Sequence, residues 1–512
     1  GAGQPLAALT LESALAVHYP VLAHHWRSAE RPERECIYAG LAGEQAAKQY
    51  ANEGALRYFS RALDLTPKTE TETRYRLLLG REGVYDVMGN REPQAQDVRA
   101  LQTLAAHLGD PRRQADVALR EANYARFTGD YPTALAAAQT ALAHAQAADD
   151  LTAQTRSYHE WGRLLWQQGR YDESRARLQE ALALARTTGD RLQEARSLFD
   201  IATAYYEQGS YPAAEQHYQQ ALPLYQVIGY RRGEIDCQIM FGIIYATSGR
   251  YMAAQVAYQE ALTTARVIGW QIAEAAVLGS LGNNYFDMGD YAQAQQQHQA
   301  ALTIFREIGN RLREALSLDT LSLTAYVLGG DEQALAYGEM ALQIQRQIGD
   351  RRSEGYVLNH LGLIWERLGN YVEATTTFQK ALQRRKELEQ NALAMDDLAG
   401  LARVALAIDE AKSAQAYAEE ILAWLAENSP DGIEFPVLVY LSCYRVLEAA
   451  STRLKDEQRA RDVLEAGYAL LQQRAGQIKD EAIRRQFLEN VPFNRALLEA
   501  WQTQRDTKKT GA

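Results

Sequence analysis

The sequence predicts an all-α chain built as a solenoid of stacked helix pairs, and three observations predict it. A motif of glycine, a polar residue, tyrosine and a small residue three further on returns every forty positions. It reads GDYPTA at 129, GRYDES at 169, GSYPAA at 209, GRYMAA at 249, GDYAQA at 289 and GNYVEA at 369. Glycine falls twice per block, twenty residues apart, as at Gly169 and Gly189 or Gly249 and Gly269. Between the glycines, apolar residues recur at helical period and nowhere alternate with strand period.

Glycine just beyond a helix C-terminus takes the left-handed conformation at little cost, so each block reads as helix, tight turn, helix, tight turn. The polar residue after the first glycine should cap the second helix where it is Asp130, Ser210, Asp290 or Asn370, while Arg170 and Arg250 are poor acceptors. Pro132 and Pro212 sit in the first turn, where a missing N–H costs nothing. Pro223 falls inside a second helix and is expected to bend it. The tyrosine closes over the turn, and the small residue (Ala134, Ala214, Ala254, Ala294, Ala374) lets helices approach closely. The phase holds from about 71 to 390, eight units, with a more divergent ninth at 391–432. A shorter upstream unit lies at roughly 36–69. The expected organisation is a helical junction and first unit over 4–70, the array over 71–432, a helical cap over 433–505 and a polar tail over 506–512.

A single core stops growing near ~250–300 residues, so 512 residues at 47% hydrophobic composition require several domains or an elongated array. The net charge of −11, without a basic block, argues against a nucleic-acid partner. Cys36, Cys237 and Cys443 form neither a disulfide framework nor a metal-ligand spacing, which suits a reducing cytoplasm. No apolar run reaches the ~18 residues of a membrane span, so no membrane partner is expected. The start, Gly-Ala-Gly rather than Met, reads as a cloning remnant on a piece of a longer protein. The phosphate loop, HExxH, paired CxxC and nucleophile elbow are all missing from the sequence, so no catalytic residue and no cofactor is expected. His24 and His25 lack a further ligand at helical spacing, and no metal is expected there. His298, standing where other blocks have Tyr218, Tyr258 or Phe378, reads as a core histidine.

These blocks resemble tetratricopeptide repeats (TPRs). The family's positions are held by Ala202, Tyr205, Ala214, Tyr218 and Ala221, then by Gly242, Tyr245, Ala254, Tyr258 and Ala261. Gly282, Tyr285, Ala294 and Ala301 follow, then Gly362, Trp365, Ala374, Phe378 and Ala381. The usual repeat is ~34 residues, and six more lengthen both helices here. Block 311–350 departs furthest, with Ser322, Ala325 and GGDEQA. The resemblance implies a right-handed α-solenoid whose first helices line a concave face. Two flanking stretches, 18–62 and 459–501, resemble the ends of the TPR sensor region of bacterial STAND-class signalling ATPases and transcription regulators. That resemblance implies a non-enzymatic sensor that binds an inducer, either a small molecule or a peptide or protein. It also implies an ATPase domain in the same polypeptide as partner. The alternative is a protein-interaction or self-association scaffold without a small ligand.

The TPR geometry turns particular first-helix positions toward the groove. They hold Asn123 and Arg126; Arg156, His159, Arg163 and Trp166; and Arg196, Phe199 and Tyr206. Further along they hold Asn283 and Phe286, then Asp319 and Tyr326, then Asn359. Aromatic, arginine and amide side chains are those of recognition surfaces. The arginine-rich run from 123 to 206 should suit a carboxylate, a phosphorylated group or an acidic peptide.

Overall fold

The computed structural model describes residues 18–49, 51–450 and 454–510, and everything described is helix, turn or short connection. Residues 4–17 of the expected junction, and the last two of the expected tail, lie outside the described residues. Helices α1 (Tyr19–Ser28), α2 (Pro32–Lys48) and α3 (Asn52–Leu65) come first, the last two forming the shorter upstream unit. The hairpins that follow keep the forty-residue phase throughout. They are α4–α5 (Thr71–Met88, Arg91–Leu108), α6–α7 (Pro111–Phe127, Tyr131–Ala147), α8–α9 (Leu151–Gln167, Tyr171–Thr188) and α10–α11 (Arg191–Glu207, Tyr211–Ile228). Next come α12–α13 (Arg231–Thr247, Tyr251–Val267), α14–α15 (Gln271–Asp287, Tyr291–Glu307) and α16–α17 (Arg311–Leu328, Asp331–Ile348). The array ends with α18–α19 (Arg351–Arg367, Tyr371–Glu387) and α20–α21 (Asn391–Ala407, Ala411–Glu427). Helices α22 (Pro436–Ala450), α23 (Leu454–Gln477), α24 (Glu481–Glu489) and α25 (Pro492–Thr510) close the chain. Helix α25 runs to 510, so residues 506–510 are helical rather than a tail; no glycine or proline interrupts them before Gly511.

The array expected over 71–432 falls in two compact units, which part between Gly229 and Tyr230. The division falls just after α11, which holds Pro223 and stays helical through it. Within unit 1, α8 touches the first helices on both sides of it, α6 and α10. Within unit 2, α18 does the same with α16 and α20. Among the described residues, second helices make no comparable contact with one another, so first helices form the inner face of each unit, each an all-α solenoid.

The hairpin register comes from one close contact. A Cβ added to Gly242 would stand 2.3 Å from the Tyr258 ring, and one on Gly282 would stand 2.6 Å from the His298 imidazole. Gly162 meets Leu178 and Gly362 meets Phe378 in the same way, both at 2.5 Å. Burial pushes His298 down to about 4, so it stays a neutral core group, as the sequence suggests. Block 311–350 reverses the arrangement. Gly338 takes the large residue's place, Leu361 from the next first helix fills the space, and Ser322 donates to the Ala334 carbonyl at 2.6 Å.

Capping differs in part from expectation. Asp130 and Asp290 accept from Thr133 and Gln293, but Ser210 and Asn370 make no capping bond, and nothing in the structure explains the difference. The second turn of the block is capped more regularly, by Asp110, Asp150, Asp190, Asn310 and Asp350. Glycine holds φ +75° at 169 and +70° at 189. Where the sequence lacks glycine at this phase, Asp149, Glu389 and Asp409 adopt the same left-handed conformation, at φ +48°, +55° and +60°.

The C-terminal helices do more than cover the last hairpin. Helix α22 packs on α20 and α21, and the chain before it is pinned to the inner face of unit 2. Asp396 accepts the backbone N–H groups of Glu434 and Phe435 at 2.9 and 3.0 Å. His360 pairs with Asp319 through Nδ1 (2.8 Å) and with Glu434 through Nε2 (3.0 Å). Two carboxylate acceptors require both ring nitrogens to donate, which only the imidazolium can do. Burial alone would push His360 down; the two carboxylates outweigh it and hold it well above the ordinary histidine value. Arg403 grips Glu366 with two nitrogens and donates to Ser442 Oγ at 3.0 Å, tying α20 to α18 and α22. No helix among the described residues is long and apolar enough to cross a membrane.

Two outcomes are expected. Glu389→Gly removes a left-handed side chain and a negative charge from a helix C-terminus, so it should raise stability by about 1 kcal/mol in chemical denaturation. The second concerns pH. A histidine whose folded value lies above its unfolded one adds stability that is complete below about 6.5 and fades as pH rises through the folded value. Burial, then Glu434, raises Asp396 to about 7, so its contribution also fades, between about 4 and 7. The denaturation midpoint of unit 2 should therefore fall from pH 6 to pH 9, and His360→Gln should flatten that slope.

Candidate functional site: the inner faces of the two units

In unit 1, side chains from four first helices make a connected polar ladder. Asp86 on α4 accepts from Asn123 Nδ2 on α6 at 3.0 Å, and Asn123 Oδ1 accepts from Arg126 Nη2 at 2.6 Å. Arg126 Nε donates to Glu160 on α8 at 3.1 Å. Arg163 then stands between two carboxylates, 3.4 Å from Glu160 and 3.6 Å from Asp200 on α10. His159 Nε2 lies 2.9 Å from Asp200, off the alignment of a hydrogen bond. A second rail runs beside it: Glu82 pairs with Arg120, which also donates to Asp116 at 3.3 Å, and Arg156 faces Asp116 at 3.5 Å.

The electrostatics differ from those expected of an arginine-rich run. Asp116, Glu160 and Asp200 interleave with the arginines, so the face alternates in sign and is not a positive stripe. Burial alone would push the Asp200 carboxyl up, but His159, then Arg163 and Arg196, outweigh it and hold it below the usual carboxylate range. Burial, with Arg163 nearby, lowers Arg126 from the usual arginine value despite Glu160. These carboxylates carried a sequence signal that reasoning from arginine and aromatic residues passed over. Glu160 and Asp200 share one phase of the forty-residue repeat, with Arg120 forty residues earlier. Asp116, Arg156 and Arg196 share another, one helical turn away.

The remaining expected positions divide. Trp166 is half-buried, and its indole N–H has no hydrogen-bond partner among the described residues. Phe199 packs edge-on against Tyr218 (5.0 Å), and Tyr206 lies against Tyr211 (5.6 Å), so both help to close their own hairpin. In unit 2, Phe286 is likewise edge-on to Tyr291 at 5.1 Å, while Asn283 is exposed. Asp319 is engaged by His360, and Asn359 donates to Asp397 at 2.7 Å. Tyr326 lies under the Arg367 guanidinium, 3.8 Å from its ring centroid. Every residue from 357 to 364 is buried, because the C-terminal segment lies over the inner side of α18. The sequence therefore placed these residues on first helices but could not reveal what covers them.

The structure thus brings Asn123, Arg126, His159 and Arg163 into one ladder in unit 1, with Arg156 on the rail beside it and Arg196 close enough to Asp200 to act on its carboxyl. It commits Asp319, Tyr326 and Asn359 to internal contacts of unit 2. A separate cleft of 220 Å³ in unit 1, lined by residues such as Arg99, Glu121 and Tyr124, is below the ~300 Å³ usual for a small-molecule site. Among the described residues, no group of three or more His, Cys, Asp or Glu side chains could hold a metal ion.

Tetratricopeptide-repeat family profiles match residues 154–226, 273–347 and 356–390. No curated protein matches the chain in sequence. Among solved structures, the chain is similar to the apo form of the quorum sensor NprR from B. thuringiensis. The two share 17% identity over 69% of this chain and 99% of that one, with a TM-score of 0.51. It is also similar to a signal transduction ATPase with numerous domains (STAND) bearing a tetratricopeptide repeat sensor, from Pyrococcus horikoshii. That match has 14% identity over 89% of this chain and 74% of the other, with a TM-score of 0.51. At such identities the likeness is one of fold. The hairpins within 154–226, 273–347 and 356–390 thus match tetratricopeptide repeats, and each unit stacks its hairpins as an all-α solenoid, the fold the chain shares with these structures.

Proposed function

We propose that the chain is a non-enzymatic sensor module whose recognition surface is the inner face of unit 1, and that its inducer is an extended peptide carrying a carboxylate. One observation carries this reading. Arg163 is held between Glu160 and Asp200 at the long distances of 3.4 and 3.6 Å, three residues from a tryptophan whose indole N–H has no partner. An incoming carboxylate can take Arg163 while Arg126 keeps Glu160 and His159 stays beside Asp200, so no buried charge is left alone. A charge-assisted bond of this kind is worth roughly 1.5–3 kcal/mol. The alternating ladder would in turn reject peptides of one sign only, since each added charge meets a like charge one helix on.

In a longer polypeptide, occupancy of the face would be passed to an attached STAND-type ATPase. The STAND protein from Pyrococcus horikoshii, which bears a tetratricopeptide repeat sensor, supports that arrangement. The setting would be the cytoplasm, with neither nucleic acid nor membrane as partner.

The test is selection from an immobilised library of random ten-residue peptides. The native chain should retain peptides that carry a carboxylate among charges of both signs, and Arg163→Ala with Trp166→Ala should lose at least tenfold of that retention while its helical circular dichroism is unchanged. Equal selection by both chains places the ligand elsewhere. No selection, together with a concentration-dependent increase in mass by sedimentation, favours a self-associating scaffold.

A further inference from the structure

The chain from the end of α23 to the start of α25 crosses two successive repeats of unit 2. Gln477 lies against Gly249, where an added Cβ would meet its Cβ at 3.1 Å. Gln486 and Asn490 lie against Gly289 in the same way, at 3.2 and 3.1 Å. Asn490 Nδ2 also reaches the Gly289 carbonyl at 3.5 Å. Ile478 and Ile483 are buried with Met288, and Tyr251 and Phe487 pack at the edge of the cluster. Phe493 then lies edge-on to Phe435 at 5.5 Å, against the cluster that holds Leu363. The chain thus runs along the array from one turn to the next, leaving an apolar side chain at each. At Gly329 and Gly369, the corresponding turns of the next hairpins, nothing lies within 4 Å of an added Cβ.

The two halves of the C-terminal region are held very differently. Residues 434–442 are tied down by two backbone bonds to Asp396, by the His360 bridge and by Arg403. Residues 477–493 rest on the repeats through a few apolar side chains and one long hydrogen bond. Helix α24 has nine residues, below the ~12–15 at which an isolated helix is even marginal. Such a segment is a natural unit of local opening.

We propose that residues 477–493 are a detachable strap, a built-in occupant of a docking site that takes a short helix with aliphatic and aromatic anchors. The site is formed by Gly249, Tyr251, Met288 and Gly289, and a partner segment of the same chemistry takes it when the strap leaves. Glycine at 249 and 289 is what lets a main chain lie this close, so the turn motif that ends a helix also makes the seat. The strap belongs to unit 2 and does not depend on whether unit 1 binds an inducer.

Two measurements on the full chain test this. In native-state hydrogen exchange, the amides of 481–489 should exchange at least tenfold faster than those of α12–α15, through an opening insensitive to denaturant. Exchange of both only on global unfolding overturns the proposal without any variant. In the second, a labelled synthetic peptide of residues 476–495 is added to the native chain and to Ile483→Asp with Phe487→Asp. The peptide should bind the variant at least tenfold more tightly than the native chain, and a peptide carrying both substitutions should bind neither. Binding of the unsubstituted peptide to both chains equally, or to neither, overturns it.

Discussion

The structure depends on one steric constraint, seen in four of its hairpins: a small residue on the first helix sits directly beneath a large one on the second. Gly162 with Leu178, Gly242 with Tyr258, Gly282 with His298 and Gly362 with Phe378 are versions of the same contact, at distances a Cβ could not share. Interiors pack at crystal-like density, so such a contact permits little sliding, and it fixes how far one helix is displaced along its mate. Block 311–350 shows what is constrained. There the small residue moves to Gly338, and Leu361 comes in from the next repeat to fill the volume. The close approach is preserved while the residues that make it change.

With register fixed, side chains at equal phase on successive first helices stand side by side, and their charges decide what each face can do. In unit 1, opposite signs at neighbouring phases produce a ladder that is nearly self-neutralising, as in Asn123–Arg126–Glu160–Arg163–Asp200. Such a surface is polar without being sticky to every anion, and an occupant must replace a bond for each one it breaks. In unit 2 the same geometry serves the chain itself. His360 between Asp319 and Glu434, and Asp396 beneath two backbone N–H groups, turn inner-face positions into anchors for the C-terminal segment.

The two units therefore use one architecture in opposite ways. The first helices α16, α18 and α20 of unit 2 are buried on nearly every side, as helices enclosed by neighbours are. In unit 1, α8 and α10 keep half-buried polar and aromatic residues on their inner side. Stability in such arrays comes mainly from contacts between neighbouring hairpins. A C-terminal region that reaches back two hundred residues, from Asn490 to Gly289, adds a contact that neighbour-to-neighbour stacking does not supply.

The sequence by itself determined the helices, their pairing and their phase, because these follow from local chemistry: apolar period, left-handed glycine, small residue against large. It also placed His298 in the core and every candidate residue on a first helix. It did not reveal which first helices remain open, since Asp319 and Asn359 look no different in sequence from Asn123 until His360 and Asp397 are brought against them. Nor did it separate the charged ladder from a positive groove, because the pairing of Arg163 with Asp200 joins residues on different hairpins. Those outcomes belong to the tertiary structure, where energies are set by which groups share a desolvated space and not by their distance along the chain.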